Sequence, residues 1–473
     1  MSSKTSGNAI LWFRNDLRLH DHPALQAASR HPQLLPVYCF DPRSFEATEF
    51  GFPKTGAHRA KFQREGVLDL RDSLRRLGSD LLIRLGEPEV VIPELARQVN
   101  AEVVYANAEI AYDEAMVEQQ LAKSLNATEI QLYEGNQLYL ESELPFTVQQ
   151  LPDVFGQFRR SVEKHCRIGR PLPPPKALPP LPAELDLGDL PSWKELGLAE
   201  PVEETRAVLN FSGGETAGRQ RLQEYFWEKQ LLSRYKETRN GMLGADYSSK
   251  FSPWLATGCL SPRWIHAEIR RYEAKVARND STYWMIFELL WREYFRWVAR
   301  KYGTRLFRLG GIRNYLSDGG VDELFTTWCI GRTGIPLIDA NMRELATTGF
   351  MSNRGRQNVA SFLVRDLRQD WRAGAEWFQS LLIDYDVCSN WGNWNYVAGI
   401  GNDPRENRTF NIMAQAQRYD ARGEYVKHWL PELQDVPPAE VHRLVGFTPQ
   451  ERQVRGIEYP DPVILHPAWR KHL

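Results

Sequence analysis

The 473-residue chain is long enough for two domains, because a single hydrophobic core usually stops growing at about 250–300 residues. With 42% hydrophobic and 25% charged residues it has the composition of a soluble globular protein, and no apolar run could span a bilayer. The five cysteines are widely spaced and contain no CxxC pair, which argues against a zinc site or a disulfide framework. The N-terminus has no signal or transit pattern, so the expected location is the cytoplasm.

Short β-rich runs alternate with helical patterns over the first 130 residues. The predicted strands cover residues 9–13, 34–39, 81–85, 103–105 and 130–133. The predicted helices between them cover residues 58–77, 88–99 and 114–125. This alternation predicts an α/β domain with a doubly wound parallel sheet over residues 1–135.

Nucleotide-binding and hydrolytic motifs are missing from the chain. Residues 51–56 have the glycine spacing of a P-loop, but Ala57 and His58 follow where Lys and Ser/Thr are required. There is no GxGxxG after the first strand, no GxSxG and no HExxH. His20 and His22 are predicted to cap the first helix rather than to bind a metal.

Nine prolines fall between residues 171 and 201, so this stretch is predicted to be an extended connector. We place the connector at residues 136–205. From residue 206 to 473 the hydrophobic periodicity is helical, which predicts an all-α domain. Twelve of the fifteen tryptophans lie between Trp227 and Trp429. They could be core residues, or they could contact a flavin, stack on bases or transfer electrons.

Three clusters in the helical half could carry chemistry. Hydroxyls and a cation in residues 248–253 could cradle a diphosphate, or they could simply cap a helix. Glu288, Trp291, Arg292 and Phe295 share one helix face, where Glu288 and Arg292 could also form a simple intrahelical pair. The run 292–308 holds six cations and one anion among aromatic residues, which favours an anion-binding surface over a merely solvated helix face.

Carboxylates and amides form a further cluster downstream. Residues 353–358 contain two cations and three amides, and Asp384 and Asp386 follow downstream. The two aspartates lack a nearby histidine or third carboxylate, so no metal site is predicted. We interpret them instead as acceptors for an NH-rich ring system whose charge nearby arginines compensate.

Together these segments resemble the photolyase/cryptochrome family, and its DASH-type branch in particular. The resemblance rests on residues 12–18 (WFRNDLR), 235–240 (YKETRN), 291–295 (WREYF), 348–354 (TGFMSNR) and 383–396 (IDYDVCSNWGNWNY). It implies a Rossmann-like antenna domain followed by a helical domain that holds FAD. The FAD-binding positions it implies are Tyr235, Ser248, Ser249, Lys250, Phe251, Ser252, Arg292, Asn353, Arg356, Asp384, Asp386 and Asn390.

The implied activity is light-driven repair of cyclobutane pyrimidine dimers by electron transfer from reduced FAD. In that reading Glu288 bonds the dimer bases, Trp291 stacks on them and Asn390 faces the flavin N5. The implied DNA-contacting residues are Glu288, Trp291, Arg354, Gln357 and Tyr396. Gln357 and Tyr396 replace the Met and Trp of double-strand photolyases, which implies a preference for single-stranded DNA.

Two further features follow from the resemblance. Trp394 and Trp371 match the inner and middle members of an electron-transfer chain, whereas the outer tryptophan is absent and Tyr315 is the nearest aromatic. Glu109 matches the carboxylate that binds a methenyltetrahydrofolate antenna, although it could also be an exposed loop glutamate. We expect a monomer, with DNA as partner and no membrane association.

Two other functions stay open at this point. The chain could be a blue-light receptor that signals through its flavin with little repair. Less favoured is a light-independent flavin reductase or nucleotide-binding structural protein, against which the missing GxGxxG argues.

Overall fold

The computed structural model describes residues 7–126, 128–182, 185–315, 319–405 and 409–472. In this part of the chain a five-stranded parallel sheet precedes a helical region. The strands are β1 (Asn8–Phe13), β2 (Leu34–Phe40), β3 (Leu82–Leu85), β4 (Ala101–Asn107) and β5 (Glu129–Tyr133). The N-terminal helices are α1 (Pro23–Ala28), α2 (Ala57–Arg76), α3 (Pro88–Gln98) and α4 (Tyr112–Ser124), and α5 (Phe155–His165) follows them.

The helical region contains thirteen further helices among the described residues. They are α6 (Glu215–Leu222), α7 (Tyr235–Thr238), α8 (Ser252–Ala256), α9 (Pro262–Lys275), α10 (Asp280–Tyr302), α11 (Glu323–Cys329), α12 (Pro336–Thr348), α13 (Asn353–Ser361), α14 (Trp371–Leu381), α15 (Val387–Ala398), α16 (Ile412–Tyr419), α17 (Glu424–Trp429) and α18 (Pro449–Val454). None of the described helices is long and apolar enough to cross a membrane.

The strand order β3-β2-β1-β4-β5 is that of a doubly wound sheet, which confirms the predicted fold class. The central strands β1 and β2 are almost continuously buried because helices cover both faces of a parallel sheet. β4 extends two residues beyond its predicted ends on each side. Backbone pairing of Ala101 with Asn8 and of Asn107 with Tyr133 extends the strand past its apolar centre.

The predicted connector differs from the structure in one respect. The proline-rich residues 171–201 contain no helix or strand among those described, but α5 lies within 136–205. Phe155, Phe158 and Val162 form a buried stripe on α5 at helical spacing, and Phe158 packs on Tyr294 of α10. This short amphipathic pattern explains why the segment folds as a helix.

Arg18 joins the two halves of the molecule. Its fully buried guanidinium donates to the backbone carbonyls of Gly135 and Gly258, 2.6 and 2.7 Å away, and to Asn136 Oδ1 at 2.8 Å. Nearby, His20 Nδ1 lies 2.7 Å from Glu215 of the helical region. His22 alone caps α1, by accepting from the Leu25 amide. The two halves are therefore held together by buried polar contacts.

Candidate functional site

Residues 248–251 form an irregular, largely buried turn before α8, and the exposed Ser252 is the first residue of that helix. Lys250 adopts a left-handed backbone with φ of 56°, and its side chain is buried over the Tyr247 ring. None of the serine hydroxyls caps α8, so the simple capping interpretation does not apply. The carbonyls of Ser248 and Ser249 accept from Arg221, which fixes the turn from behind.

Lys250 is the most unusual group in this turn. Its Nζ is buried and has no hydrogen-bond partner among the described residues. Burial lowers the pKa of Lys250 to about 6, and the positive charge of Arg221 acts in the same direction. A buried amine of this kind needs an anionic partner to be charged. The other predicted residues here, Tyr235 and Phe251, are also buried.

A second group of predicted residues lines a cavity of about 120 Å³ between α13, α14 and α15. Its polar lining includes Asn353, Arg356, Asp384, Asp386 and Asn390, and Trp394 contributes an aromatic wall. The structure thus brings together residues that are up to 41 positions apart in the sequence (353 to 394).

The two aspartates of this cavity are held differently. Asp384 is paired with Arg356 at 2.8 Å, and its Oδ1 is buried without a partner among the described residues. Asp386 is the N-cap of α15 and accepts from the Ser389 amide at 2.7 Å. Burial would raise the pKa of Asp386, but Arg292 and Arg296 outweigh it and hold the pKa below its usual range.

The side-chain amide of Asn390 already forms one hydrogen bond within the protein. Its Nδ2 donates one of its two hydrogens to the Ala375 carbonyl at 3.0 Å, and Oδ1 is an acceptor that it can offer to a ligand in the cavity. Asn390 can therefore accept a hydrogen bond from a donor in the cavity.

Glu288 and Arg292 do not form the intrahelical pair that their spacing allows. Glu288 pairs with Arg239 at 2.8 Å, whereas Arg292 donates to the backbone carbonyls of Asn136 and Leu255. Burial raises the pKa of Glu288, and Arg239 opposes that shift. Arg239 comes from the end of α7, so sequence periodicity could not identify it as the partner.

Trp291 is backed by an aromatic residue from α5. The Phe155 ring lies parallel to it with centroids 3.7 Å apart, and Tyr396 meets it edge-on at 5.8 Å. Trp291 therefore has one ring face already covered. Phe155 was not predicted as a site residue because it lies in the predicted connector. Its helical spacing with Phe158 and Val162 is the signal in the sequence that could have identified it.

The basic run 292–308 does not form one exposed patch, which corrects the prediction of an anion-binding surface. Arg292 and Arg296 point inward to the boundary of the two halves, because they lie four residues apart on one face of α10. Arg300 and Lys301 pair with Glu141 and Asp153.

The remaining predicted DNA-contacting residues lie near the 120 Å³ cavity. Arg354 donates to Gln357 and to Asn240, both at 2.9 Å, and its guanidinium lies over the Tyr419 ring. Gln357 lines the cavity itself. The Tyr396 hydroxyl accepts from Arg405 at 3.2 Å.

A larger cavity of about 830 Å³ lies between the sheet domain and the helical region. Glu109, Arg292, Arg296 and Trp391 are among its lining residues, and Asp386 lines both cavities. Glu109 is buried, which excludes the exposed-loop interpretation. Burial raises the pKa of Glu109, and Arg296 acts against that shift.

Arg296 was not among the predicted site residues. Its fully buried guanidinium lies 3.6 Å from Glu109 and 3.7 Å from Asp386, so it connects the two cavities. The spacing of Arg296 from Arg292 on α10 was the only sequence signal for this role.

The predicted electron-chain residues lie on neighbouring helices. Trp371 begins α14, and the Trp394 ring packs against Gly374 one turn further along that helix. Trp371 also meets Trp391 edge-on with centroids 5.6 Å apart. Tyr315 is 53% exposed, and the residues directly after it, 316–318, lie outside the described part of the chain.

Comparison with known proteins agrees with this architecture. Residues 9–180 match the family described as DNA photolyase, and residues 284–473 match the family described as FAD binding domain of DNA photolyase. A protein of Gloeobacter violaceus named Cryptochrome DASH is 54% identical over 472 residues, which cover 98% of this chain and 94% of the relative.

Two solved structures show the same fold. The cryptochrome of Synechocystis sp. PCC6803 has a TM-score of 0.94 and 49% identity, with coverage of 100% of this chain and 98% of that one. A bacterial class III photolyase from Agrobacterium tumefaciens has a TM-score of 0.84 and 27% identity, with coverage of 99% and 97%.

Proposed function

Because this chain belongs to the photolyase and cryptochrome family, as a cryptochrome of the DASH type, we propose that it repairs cyclobutane pyrimidine dimers in single-stranded DNA under blue light. The observation that carries the proposal is the placement of Glu288. Its carboxylate is half-buried, is held by Arg239 and stands one helical turn from Trp291. When bound and reduced, FAD supplies the electron that splits the dimer.

The buried polar groups without partners fit FAD. Residues 284–473 match the FAD binding domain of DNA photolyase. Lys250 Nζ and Asp384 Oδ1 are both buried without partners among the described residues. A diphosphate supplies the anion that Lys250 requires, and a ring N–H supplies the donor that Asp384 requires. We assign residues 248–252 and Tyr235 to the diphosphate end of the cofactor, and Arg356, Asp384 and Asn390 to its ring end.

The chain's own residues then position the damaged bases. Glu288 forms hydrogen bonds with the dimer, and the uncovered face of the Trp291 ring packs against the dimer. The dimer has to leave its stack to reach this point, which costs a few kcal/mol and is easiest in single strands. Tyr396 and Gln357 offer less stacking surface than larger aromatic or apolar residues, which supports the single-strand preference.

The interdomain cavity supports a second binding site. Its 830 Å³ volume and its buried Glu109 suit a pterin, whose N–H groups would donate to the carboxylate. We assign this cavity to a light-harvesting antenna of the methenyltetrahydrofolate type. Extraction of the purified protein and absorbance spectroscopy of the released chromophore test that assignment.

The proposed repair is tested with thymine-dimer oligonucleotides under blue light in the presence of reductant. We expect the ultraviolet absorbance of single strands to rise as the thymine double bonds are restored, with little change on duplexes and with the Glu288→Ala variant impaired on both. If neither substrate is repaired although the flavin is reduced, the repair proposal is wrong and a light-receptor role takes its place.

A further inference from the structure

An outer tryptophan is missing where the resemblance places it, which raises the question of where electrons enter the protein. Tyr315 is largely exposed, and no ring contact joins it to Trp371 among the described residues. Trp371 instead contacts Trp391, with centroids 5.6 Å apart and an interplanar angle of 82°. Edge-on contact between two indoles is close enough for fast electron transfer.

Trp391 is the indole next to Trp371 that reaches the interdomain cavity. Its side chain is 6% exposed and lines the 830 Å³ interdomain cavity. Trp394 is in ring contact with the fully buried Trp328, and from Trp328 the ring contacts continue through phenylalanines to the partly exposed Trp377. Phenylalanine is much harder to oxidise than tryptophan and interrupts that branch, whereas Trp391 contacts Trp371 directly and lies where a small molecule can arrive.

We propose that Trp391 is the terminal electron donor of the chain Trp394–Trp371–Trp391 and that small reductants such as thiols reach it through the interdomain cavity. This inference rests on one part of the proposed function, namely that the protein binds FAD and that light reduces it. The Trp391 indole N–H is anchored by the Tyr385 hydroxyl at 3.2 Å, which fixes the ring between Trp371 and the cavity.

The electron balance of the step is simple. For each of two photons, one electron would pass from Trp394 to the excited cofactor, which is oxidised for the first photon and one-electron reduced for the second. Trp371 would then reduce Trp394, and Trp391 would reduce Trp371. A thiol in the cavity then gives one electron to oxidised Trp391 and releases its proton to water. Two such events join two thiols as a disulfide, and their two electrons with one proton complete the two-electron reduction of the cofactor.

The position of Trp391 also predicts regulation. A ligand that fills the interdomain cavity covers the ring and separates it from thiols. Occupancy of the cavity should therefore slow thiol-dependent photoreduction without any change in the tryptophan chain itself.

Transient absorption after a flash tests the proposal on the flavin-loaded, oxidised protein without DNA. We expect a long-lived tryptophan radical in the wild type, with a decay rate that increases with thiol concentration. The Trp391→Phe variant should lose both the long-lived radical and the thiol dependence, and Trp391→Tyr should restore part of the dependence because tyrosine can be oxidised. A long-lived, thiol-dependent radical in Trp391→Phe would overturn the proposal, as would its loss in Tyr315→Phe.

Two comparisons separate electron transfer from misfolding. Trp429→Phe removes another buried indole and should keep the wild-type radical decay. In the flavin-free protein, the fluorescence component that disappears in Trp391→Phe should be quenched by acrylamide and protected by a cavity ligand. If that component resists acrylamide, the cavity does not give access to Trp391 and the proposal fails.

The flash experiment also distinguishes this inference from the repair proposal. It contains no DNA, so a failure to repair dimers leaves its result unaffected. Conversely, repair by chemically reduced protein does not need Trp391 as an electron donor, so failure of the flash experiment leaves the repair proposal standing.

Discussion

The Glu288 carboxylate lies 2.8 Å from the Arg239 guanidinium, although Arg292 stands one turn away from Glu288 on the same helix. The side chains of the pair are 29% and 15% exposed. Each is therefore partly removed from water and depends on the other for compensation of its charge.

Arg239→Ala should weaken binding of dimer-containing single strands, because Glu288 loses the group that orients it. We expect a cost of about 1–2 kcal/mol, towards the low end for a charged hydrogen bond because the pair is partly exposed. Fluorescence anisotropy with a labelled oligonucleotide measures it. The matched control is Asp280→Asn on the same helix, whose pair with Lys236 is exposed and should change affinity little. Equal effects of the two variants would contradict the role of Arg239.

FAD affinity should decrease with rising pH because of Lys250. The folded flavin-free protein holds the pKa of Lys250 at about 6, below its usual 10.5, so the amine is neutral at pH 7. A diphosphate beside it raises that pKa again, so FAD binding takes up a proton above pH 6. Calorimetry in buffers with different ionisation enthalpies measures this uptake. Lys250→Met should bind FAD more weakly and without proton uptake.

The exposed Lys229 provides the control for this experiment. Lys229→Met should bind FAD with the affinity and the proton uptake of the wild type, because the amine pairs with Glu224 and Asp246 at the surface. Proton uptake that persists in Lys250→Met would show that another group titrates.

Asn390→Asp should lower the midpoint potential of the bound flavin. The wild-type amide donates to the Ala375 carbonyl, and an aspartate would place a second acceptor against that oxygen and a negative charge beside an anionic reduced ring. Spectroelectrochemical titration measures the potential. Gln453→Glu adds the same charge at an exposed position on α18, so water should screen that charge and leave the potential nearly unchanged. An unchanged potential in Asn390→Asp would place the flavin ring elsewhere.

Arg296→Met should strongly destabilise the flavin-free protein at neutral pH. It leaves Glu109 and Asp386 buried without their shared cation, and breaking a buried pair in this way costs about 3–5 kcal/mol of unfolding free energy. Urea unfolding measures the loss. Adding Glu109→Gln should recover part of it, because the buried carboxylate that has lost its ion pair with Arg296 is then replaced by a neutral amide.

Arg300→Met is the corresponding control on the exposed side of α10. Its ion pair with Glu141 is about half exposed on both sides, so the expected change is below about 1 kcal/mol. If Arg296→Met lowered the unfolding free energy equally little, the ion pairs of Arg296 with Glu109 and Asp386 would not stabilise the protein.

The sequence by itself determined the elements of this protein. Apolar runs and helical periodicity placed all five strands and the helices α2, α3 and α4 within a few residues, since these patterns reflect which side chains must be buried locally. Motif resemblance also named Asp384, Asp386 and Asn390, which the fold gathers around one cavity.

Only the tertiary structure decided which charges meet. Arg239 is 49 positions from Glu288 (239 to 288), and Arg296 is 187 positions from Glu109 (109 to 296), so no local pattern connects them. The basic run on α10 looked like a surface because a sequence records charge but not the direction in which a helix faces. Burial, pairing and access to a cavity, as for Trp391, depend on packing between distant segments, and packing exists only once the chain has folded.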